Sequence, residues 1–252
     1  MPEAGTSRGG GLGTIRNAVR LLDLLATGPA WHALTDLATR SEMSVPTVHR
    51  LLRSLVLAGY AVQDPATSRY GLGPQFTRLS SHYLSRHPVL AALAPFAVPL
   101  RDQVAATVSV YELVGAEVVC IDQVDAGDRG AFRAASPRAH NPLLSAPGRL
   151  LLARACKEDW EAARTALATE DPALAEEVAG YRTEWAGADS VRVDAPDALR
   201  SAQVAVPVQA SDGRAVAALA ADLPAGVTDD RVTAIAGAMH RTALTVKGGL
   251  HV

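Results

Sequence analysis

The chain has 252 residues, 48% of them hydrophobic, and a formal net charge of −2. That is enough apolar material for one large domain or two smaller ones with real cores. No apolar run reaches bilayer length and the N-terminus carries no apolar signal core, so the sequence argues against a membrane or secreted class and for a cytoplasmic protein.

The small net charge hides an asymmetry. Residues 1–80 hold eight arginines against five acidic residues, a balance of +3, which leaves −5 for the remainder. A basic N-terminal part on an acidic body suits a nucleic-acid reader joined to a different domain. Residues 1–13 are rich in Gly and Ser and are expected to be a disordered tail. Helical spacing of Ile15, Ala18, Val19, Leu22, Leu25 and Ala26 then predicts a helix from Thr14, as cap, to Thr27, stopped by Gly28-Pro29. A short helix follows, with Leu34, Leu37 and Ala38 inward. Glu42-Met43 makes the turn.

Ser44 is the expected N-cap of a third helix, and Pro46 is tolerated in its first turn. Val45, Val48, Leu52 and Leu55 form its apolar stripe. Pro46, Thr47, His49, Arg50, Arg53 and Ser54 fall on the other side. Arginine can grip guanine or hold phosphate, and hydroxyls serve either purpose. Next comes a small hairpin, Tyr60 and Val62 inward on one strand and Tyr70 and Leu72 on the other. Asp64-Pro-Ala-Thr-Ser68 is its turn and Arg69 is placed for phosphate or a minor-groove edge. This order is a winged helix-turn-helix over residues 14–73, whose third helix would enter the major groove of double-stranded operator DNA. Gly71-Leu72-Gly73 lacks the third glycine and the βαβ setting of a dinucleotide fingerprint.

From Pro74 a linker helix runs to Arg86, closed by Pro88. Phe76, Leu79 and Tyr83 make it a candidate dimer surface, because one winged unit contacts too little DNA for strong specificity. Residues 89–252 read as a second domain. Residues 89–105 are helical in pattern, bent or segmented by Pro95 and Pro99. Strands follow at Thr107–Leu113 and Glu117–Val124, with a third at Phe132–Ala135. Helices are expected near 149–156, 158–169 and 171–180, a hairpin at 203–209 and 214–222, and a closing helix at 228–246. The fold class is α+β with an antiparallel sheet. Cys120 and Cys156 lack CxxC spacing and read as reduced thiols.

These residues resemble the IclR family of bacterial transcription regulators. The resemblance is strongest in Leu34-Thr-Asp-Leu-Ala, Pro46-Thr-Val-His-Arg-Leu-Leu-Arg-Ser-Leu, Gly59-Tyr, Asp64-Pro and Arg69-Tyr-Gly-Leu-Gly73. It extends through Glu117-Val-Val-Cys-Ile-Asp122, Ala146-Pro-Gly-Arg-Leu-Leu-Leu-Ala153 and Val204-Ala-Val-Pro207. It implies a GAF-like effector domain, a homodimer or homotetramer, and operator affinity set by a small-molecule effector, an organic acid or related metabolite. Carried over by position, the pocket would be lined by Leu143, Ser145, Ala146, Pro147 and Gly148, with Val206, Leu219 and Ala221 as the opposite wall. A helix N-terminus near Gly148 can hold a carboxylate. The alternative is a second domain that only oligomerises and binds no effector. Ser145, His140, Asp122 and Cys120 could be imagined as a nucleophilic set, but no G-x-S-x-G elbow and no HExxH helix is present. No enzyme activity, metal or cofactor is expected.

Overall fold

The computed structural model describes residues 10–126, 139–194, 202–224 and 226–250. The expected strand at Phe132–Ala135 and residues 1–9 of the expected tail lie outside these. Two compact units divide between Tyr83 and Leu84.

The first unit contains α1 (Gly10–Ala26), α2 (Leu34–Ser41), α3 (Val45–Leu57), β1 (Ala61–Gln63), β2 (Tyr70–Leu72) and α4 (Gln75–Leu84). Helix α1 starts at Gly10, so residues 10–13 are helical and Thr14 is not its cap. Its buried face is Leu21 and Leu25, with Ala18, Leu22 and Leu24 against the core, while Ile15 and Val19 are 67% and 49% exposed. Leu-Leu-Asp-Leu-Leu at 21–25 supports two helical phases, and packing on α2 and α3 selects the one centred on Leu21. In α3 the buried residues are Val48, Leu51 and Leu52; Val45 is exposed. Val45 is the first residue of the helix, beyond the reach of the three-helix core.

Strands β1 and β2 pair antiparallel, Ala61 opposite Leu72 and Gln63 opposite Tyr70. Ala61 and Tyr70 point to the core, whereas Leu72 is exposed. Two glycines explain the close fit. A Cβ on Gly71 would lie 2.8 Å from the Ala30 carbonyl oxygen. One on Gly73 would overlap the Gly59 carbonyl. The linker helix α4 buries no residue, although the Phe76 ring meets Tyr60 edge-on at 5.5 Å. It stops at Leu84, and Pro88 opens the next helix rather than closing this one.

The second unit contains α5 (Pro88–Val104), β3 (Val108–Val114), β4 (Glu117–Val124), β5 (Ala139–His140), α6 (Ala146–Ala153), α7 (Lys157–Glu170), α8 (Pro172–Ala179), α9 (Arg182–Gly187), β6 (Val191–Val193), β7 (Gln203–Gln209), β8 (Ala215–Asp222) and α10 (Asp229–Lys247). Six strands form one antiparallel sheet in the order β5-β4-β3-β8-β7-β6. Helices α5 and α10 cover one face through Leu93, Leu100, Ile235 and Met239, packed on Val108, Val110, Val206, Val208 and Leu219. The other face carries α6 to α9, with Leu150, Trp160 and Trp185 on Ala205, Ala218 and Ala220. Pro95 and Pro99 do not segment α5, which runs unbroken. Both prolines are exposed, so the helix carbonyls they leave without N–H donors lie toward water.

The sequence pattern omits α9 and β6. Arginines fasten this region. Arg154 donates to the carbonyls of Leu150, Trp185 and Ala188 at 2.7–2.8 Å, and Arg182 donates to Ala155 at 2.8 Å.

Candidate nucleic-acid interface and sensor face

The turn between α2 and α3 is set by Glu42, whose φ of 59° is left-handed. Arg20 ties this strained residue down, donating to its carboxylate at 3.3 Å and to the Arg40 carbonyl at 3.2 Å. Ser44 occupies the N-cap position with extended backbone, but its hydroxyl pairs with the Thr47 hydroxyl at 2.8 Å instead of capping an amide. Pro46 follows in the first turn.

Val48, Leu51 and Leu52 anchor α3, which turns His49, Arg50, Arg53 and Ser54 outward, all exposed, with Thr47 half-buried. Ser54 donates to the Arg50 carbonyl at 3.1 Å, leaving its oxygen lone pairs outward. Arg20 is paired with Glu42, and Arg40 with Asp36. By contrast, no acidic side chain among the described residues pairs with Arg50, Arg53 or Arg69. Their charge is unneutralised and directed away from the core.

Arg69 sits at the end of the wing loop, whose shape comes from Asp64. The Asp64 carbonyl accepts from Ser68 and its amide donates to Arg69, both at 2.8 Å, while its carboxylate accepts from the Ala66 amide and the Thr67 hydroxyl. The Thr67 hydrogen bond, with that from Ala66, holds the Asp64 carboxyl below its usual value. Ser68 takes a left-handed φ of 58° to close the loop.

In the second unit the residues expected to share a pocket are divided by the sheet. Leu143, Ser145, Ala146, Pro147 and Gly148 are all buried; Leu143 and Ala146 belong to the layer of α6. Val206, Leu219 and Ala221 point to α5 and α10. The side chains facing α6 are their neighbours Ala205, Ala218 and Ala220, one residue out of phase. Helix α6 also begins at Ala146, so Pro147 and Gly148 are its first turn and not a loop before it. Its N-terminus is closed by its own chain: the Gly148 amide donates to the Ser145 hydroxyl at 3.3 Å and the Arg149 amide to the Ser145 carbonyl at 3.0 Å. A Cβ on Gly148 would overlap the Pro142 carbonyl. The Arg149 guanidinium lies 4.9 Å above the Trp185 ring, and its Nε donates to the Leu143 carbonyl at 2.8 Å.

On the α6 face the sheet also presents a polar set that sequence reasoning missed. Gln203 donates to the Asp222 carboxylate at 3.1 Å, and the Tyr111 phenol is hydrogen-bonded to Gln203 and Ser109. Burial, aided by the Asp222 charge and Cys120, pushes the Tyr111 phenol up to about 12, so it stays a neutral donor. Strand pairing assembles this set from β3, β7 and β8, which no local spacing reveals. Cys120 and Cys156 form no disulfide among the described residues. Among the described residues no group of His, Cys, Asp or Glu is arranged to hold a metal ion, and no helix is long and apolar enough to cross a membrane.

Comparison with known proteins agrees with this architecture. Residues 14–65 match the IclR helix-turn-helix domain. Over 153 residues the chain is 29% identical to the HTH-type transcriptional regulator BhcR of Paracoccus denitrificans, covering 60% of this chain and 54% of that one. Over 78 residues it is 36% identical to the glycerol operon regulatory protein of Streptomyces griseus, covering 31% of each. The chain thus spans about half, or less, of the length of the curated relatives it matches. In fold it superposes on an IclR family transcriptional regulator from Brucella abortus with a TM-score of 0.75 at 19% identity, covering 96% of both chains. An IclR homolog from Microbacterium hydrocarbonoxydans, complexed with 4-hydroxybenzoate, gives a TM-score of 0.62 at 18% identity, covering 93% of this chain and 97% of that one. Residues 14–65 thus carry an IclR-type helix-turn-helix domain, and the chain is similar to regulators of this type in sequence over part of its length and shares the fold of solved IclR structures.

Proposed function

We propose that this protein is a sequence-specific transcriptional regulator that reads operator DNA with α3 and steadies the complex with its wing. The observation that carries this reading is the outer face of α3, where Arg50 and Arg53 stand unpaired beside His49, Thr47 and Ser54 on a rigid helix. Backbone amides at the α3 N-terminus and Arg69 on the wing supply phosphate contacts, which position without specifying; Arg50 and Arg53 reach base edges. The protein acts as a homodimer or homotetramer on a pseudo-palindromic site, since two-fold proteins read two-fold sites. Gel shift on the DNA flanking its own gene is the test. Arg50→Ala with Arg53→Ala should lose binding, and unchanged affinity of the double variant would remove α3 from the reading role.

The finer reading is that a small organic acid, bound in the second unit, adjusts operator affinity. Supporting it are a chain of the same fold complexed with 4-hydroxybenzoate and the polar set Tyr111, Gln203 and Asp222 under α6. The ligand would lie on the α6 side of the sheet, with Leu143, Ser145 and Ala146, and not against Val206, Leu219 or Ala221. It would shift affinity only by binding one arrangement of the paired reading heads better than another. A second reading, in which this unit only oligomerises, is favoured by the self-capped α6 terminus, whose Gly148 and Arg149 amides are already used. Titrating the protein–DNA complex with 4-hydroxybenzoate and other small acids separates the two. A change in operator affinity that Gln203→Leu abolishes supports the sensor; no acid having any effect supports the oligomerisation unit.

A further inference from the structure

Only Ser85, Arg86 and His87 separate the last residue of α4, Leu84, from the first residue of α5, Pro88. Ser85 and Arg86 are exposed, whereas His87 is buried. The His87 Nε2 donates to the Glu112 carboxylate at 2.6 Å, and the two side chains are only 6% and 13% exposed. The His87 backbone is engaged on both sides as well. Its amide donates to the Leu84 carbonyl at 3.1 Å, and its carbonyl accepts from the Ala91 amide at 3.0 Å. An unbroken path therefore runs from β3, through Glu112 and His87, to the last residue of α4. Its far end is firm, because β3 is an interior strand, paired with β4 on one side and β8 on the other.

Leu84 and Val89 already seat this junction on the apolar core. Burying a carboxylate and an imidazole beside them costs desolvation, and two apolar side chains of similar volume would hold the junction as well or better. What the polar pair adds is direction. Apolar contacts tolerate sliding and rotation, whereas a short bond between a planar ring and a carboxylate admits a narrow geometry. We propose that the His87–Glu112 bond fixes the direction in which the linker helix leaves the second unit, and so presents paired reading heads at the separation of their two half-sites. His87 and Glu112 are then positioning residues for operator binding. The proposal rests on the reading above that paired heads bind a two-fold site. Once one head is bound, the second binds as if intramolecular, with a gain of roughly 100- to 10,000-fold when the geometry fits. A linker free to swing dilutes that gain without weakening either head alone.

The test compares two duplexes by fluorescence anisotropy with the full chain. One is the segment that the protein protects in the DNA flanking its own gene; the other is the same segment with one half scrambled. Wild type should prefer the intact segment at least about 100-fold. The double variant His87→Leu with Glu112→Leu should match wild type in circular dichroism and melting, because its junction stays filled. Its preference for the intact segment should nevertheless fall at least about tenfold, while its affinity for the scrambled segment stays within about twofold of wild type. Glu112→Ala should lose the same preference, and adding His87→Ala should cost nothing further, since both remove one contact. Thr228→Ala, which loosens the cap of α10 in the same unit, should leave the preference as it was. A folded double leucine variant with the wild-type preference overturns the proposal. A wild type that does not prefer the intact segment overturns the two-fold reading itself, and this proposal with it. Should the double leucine variant not fold, Glu112→Ala decides by the same two affinities.

Discussion

Replacing Gly73 with alanine is the sharpest probe of how the wing is attached to the reading helix. The added Cβ would overlap the Gly59 carbonyl oxygen and sit 2.8 Å from the carbonyl carbons of Gly59 and Tyr60. These are backbone atoms held in place, since the Gly73 amide donates to Tyr60 at 2.9 Å and the Gln75 amide to Gly59 at 3.2 Å. Relief needs the backbones to separate by on the order of 1 Å, and overpacking of this kind costs about 1–3 kcal/mol. Rigid atoms on both sides place Gly73→Ala near the upper end. Loss of unfolded-chain entropy returns about 0.4–1 kcal/mol, because Gly73 needs no left-handed backbone. The net is about 2 kcal/mol, or roughly 8–16 °C in the melting transition of a unit this size. Calorimetry of the full chain should show the N-terminal transition falling by that amount, with operator binding lost at a correspondingly lower temperature. Gly13→Ala, in the same unit but with open space around its Cβ, should instead be neutral or stabilising by up to about 1 kcal/mol. A Gly73→Ala protein melting within about 2 °C of wild type would refute the claim that wing and α3 meet through bare backbone.

Arg50→Ala should weaken operator binding by about 1–3 kcal/mol, roughly 5- to 150-fold, while leaving the melting temperature unchanged; a filter-binding series with parallel calorimetry checks both halves. Arg69→Ala should flatten the salt dependence of binding by about one unit of slope and weaken all sequences alike, as a phosphate contact does. Removing the α6 cap with Ser145→Ala should cost about 1 kcal/mol in chemical denaturation, and equal stability would show the Gly148 contact to be incidental. Tyr111 should ionise near pH 12. Below the unfolded value of about 10 both states keep the proton and stability is full; between 10 and 12 only the folded chain keeps it, so roughly 2.7 kcal/mol is lost as pH rises. Alkaline stability curves of wild type and Tyr111→Phe that run parallel over that range would contradict this.

The reading head was legible because its signals are local. Pro46 in a first turn, arginines on one side of a short helix and an Asp64-centred turn all act within a few residues. The phase of α1 was not, since Leu21 to Leu25 satisfies two faces and only contact with α2 and α3 decides between them. The sheet defeated reading for a different reason. Strands β7 and β8 are buried along their middles on both sides, so apolar residues follow one another without alternation. With no period of two to read, the sequence places Val206, Leu219 and Ala221 opposite the start of α6; in the structure they face α5 and α10, and Ala205, Ala218 and Ala220 face α6. Arg154 and Arg182 escaped notice because their partners are carbonyls as much as 34 residues away.

The openness of the α3 surface has a consequence for redesign. Side chains at 49, 50 and 53 contribute almost nothing to the core, so a library randomised at these positions, and at 54, should fold nearly as uniformly as the parent. Operator preference and thermal stability then become separately adjustable. Selection for a new binding site could proceed on this scaffold without compensating changes beneath the helix.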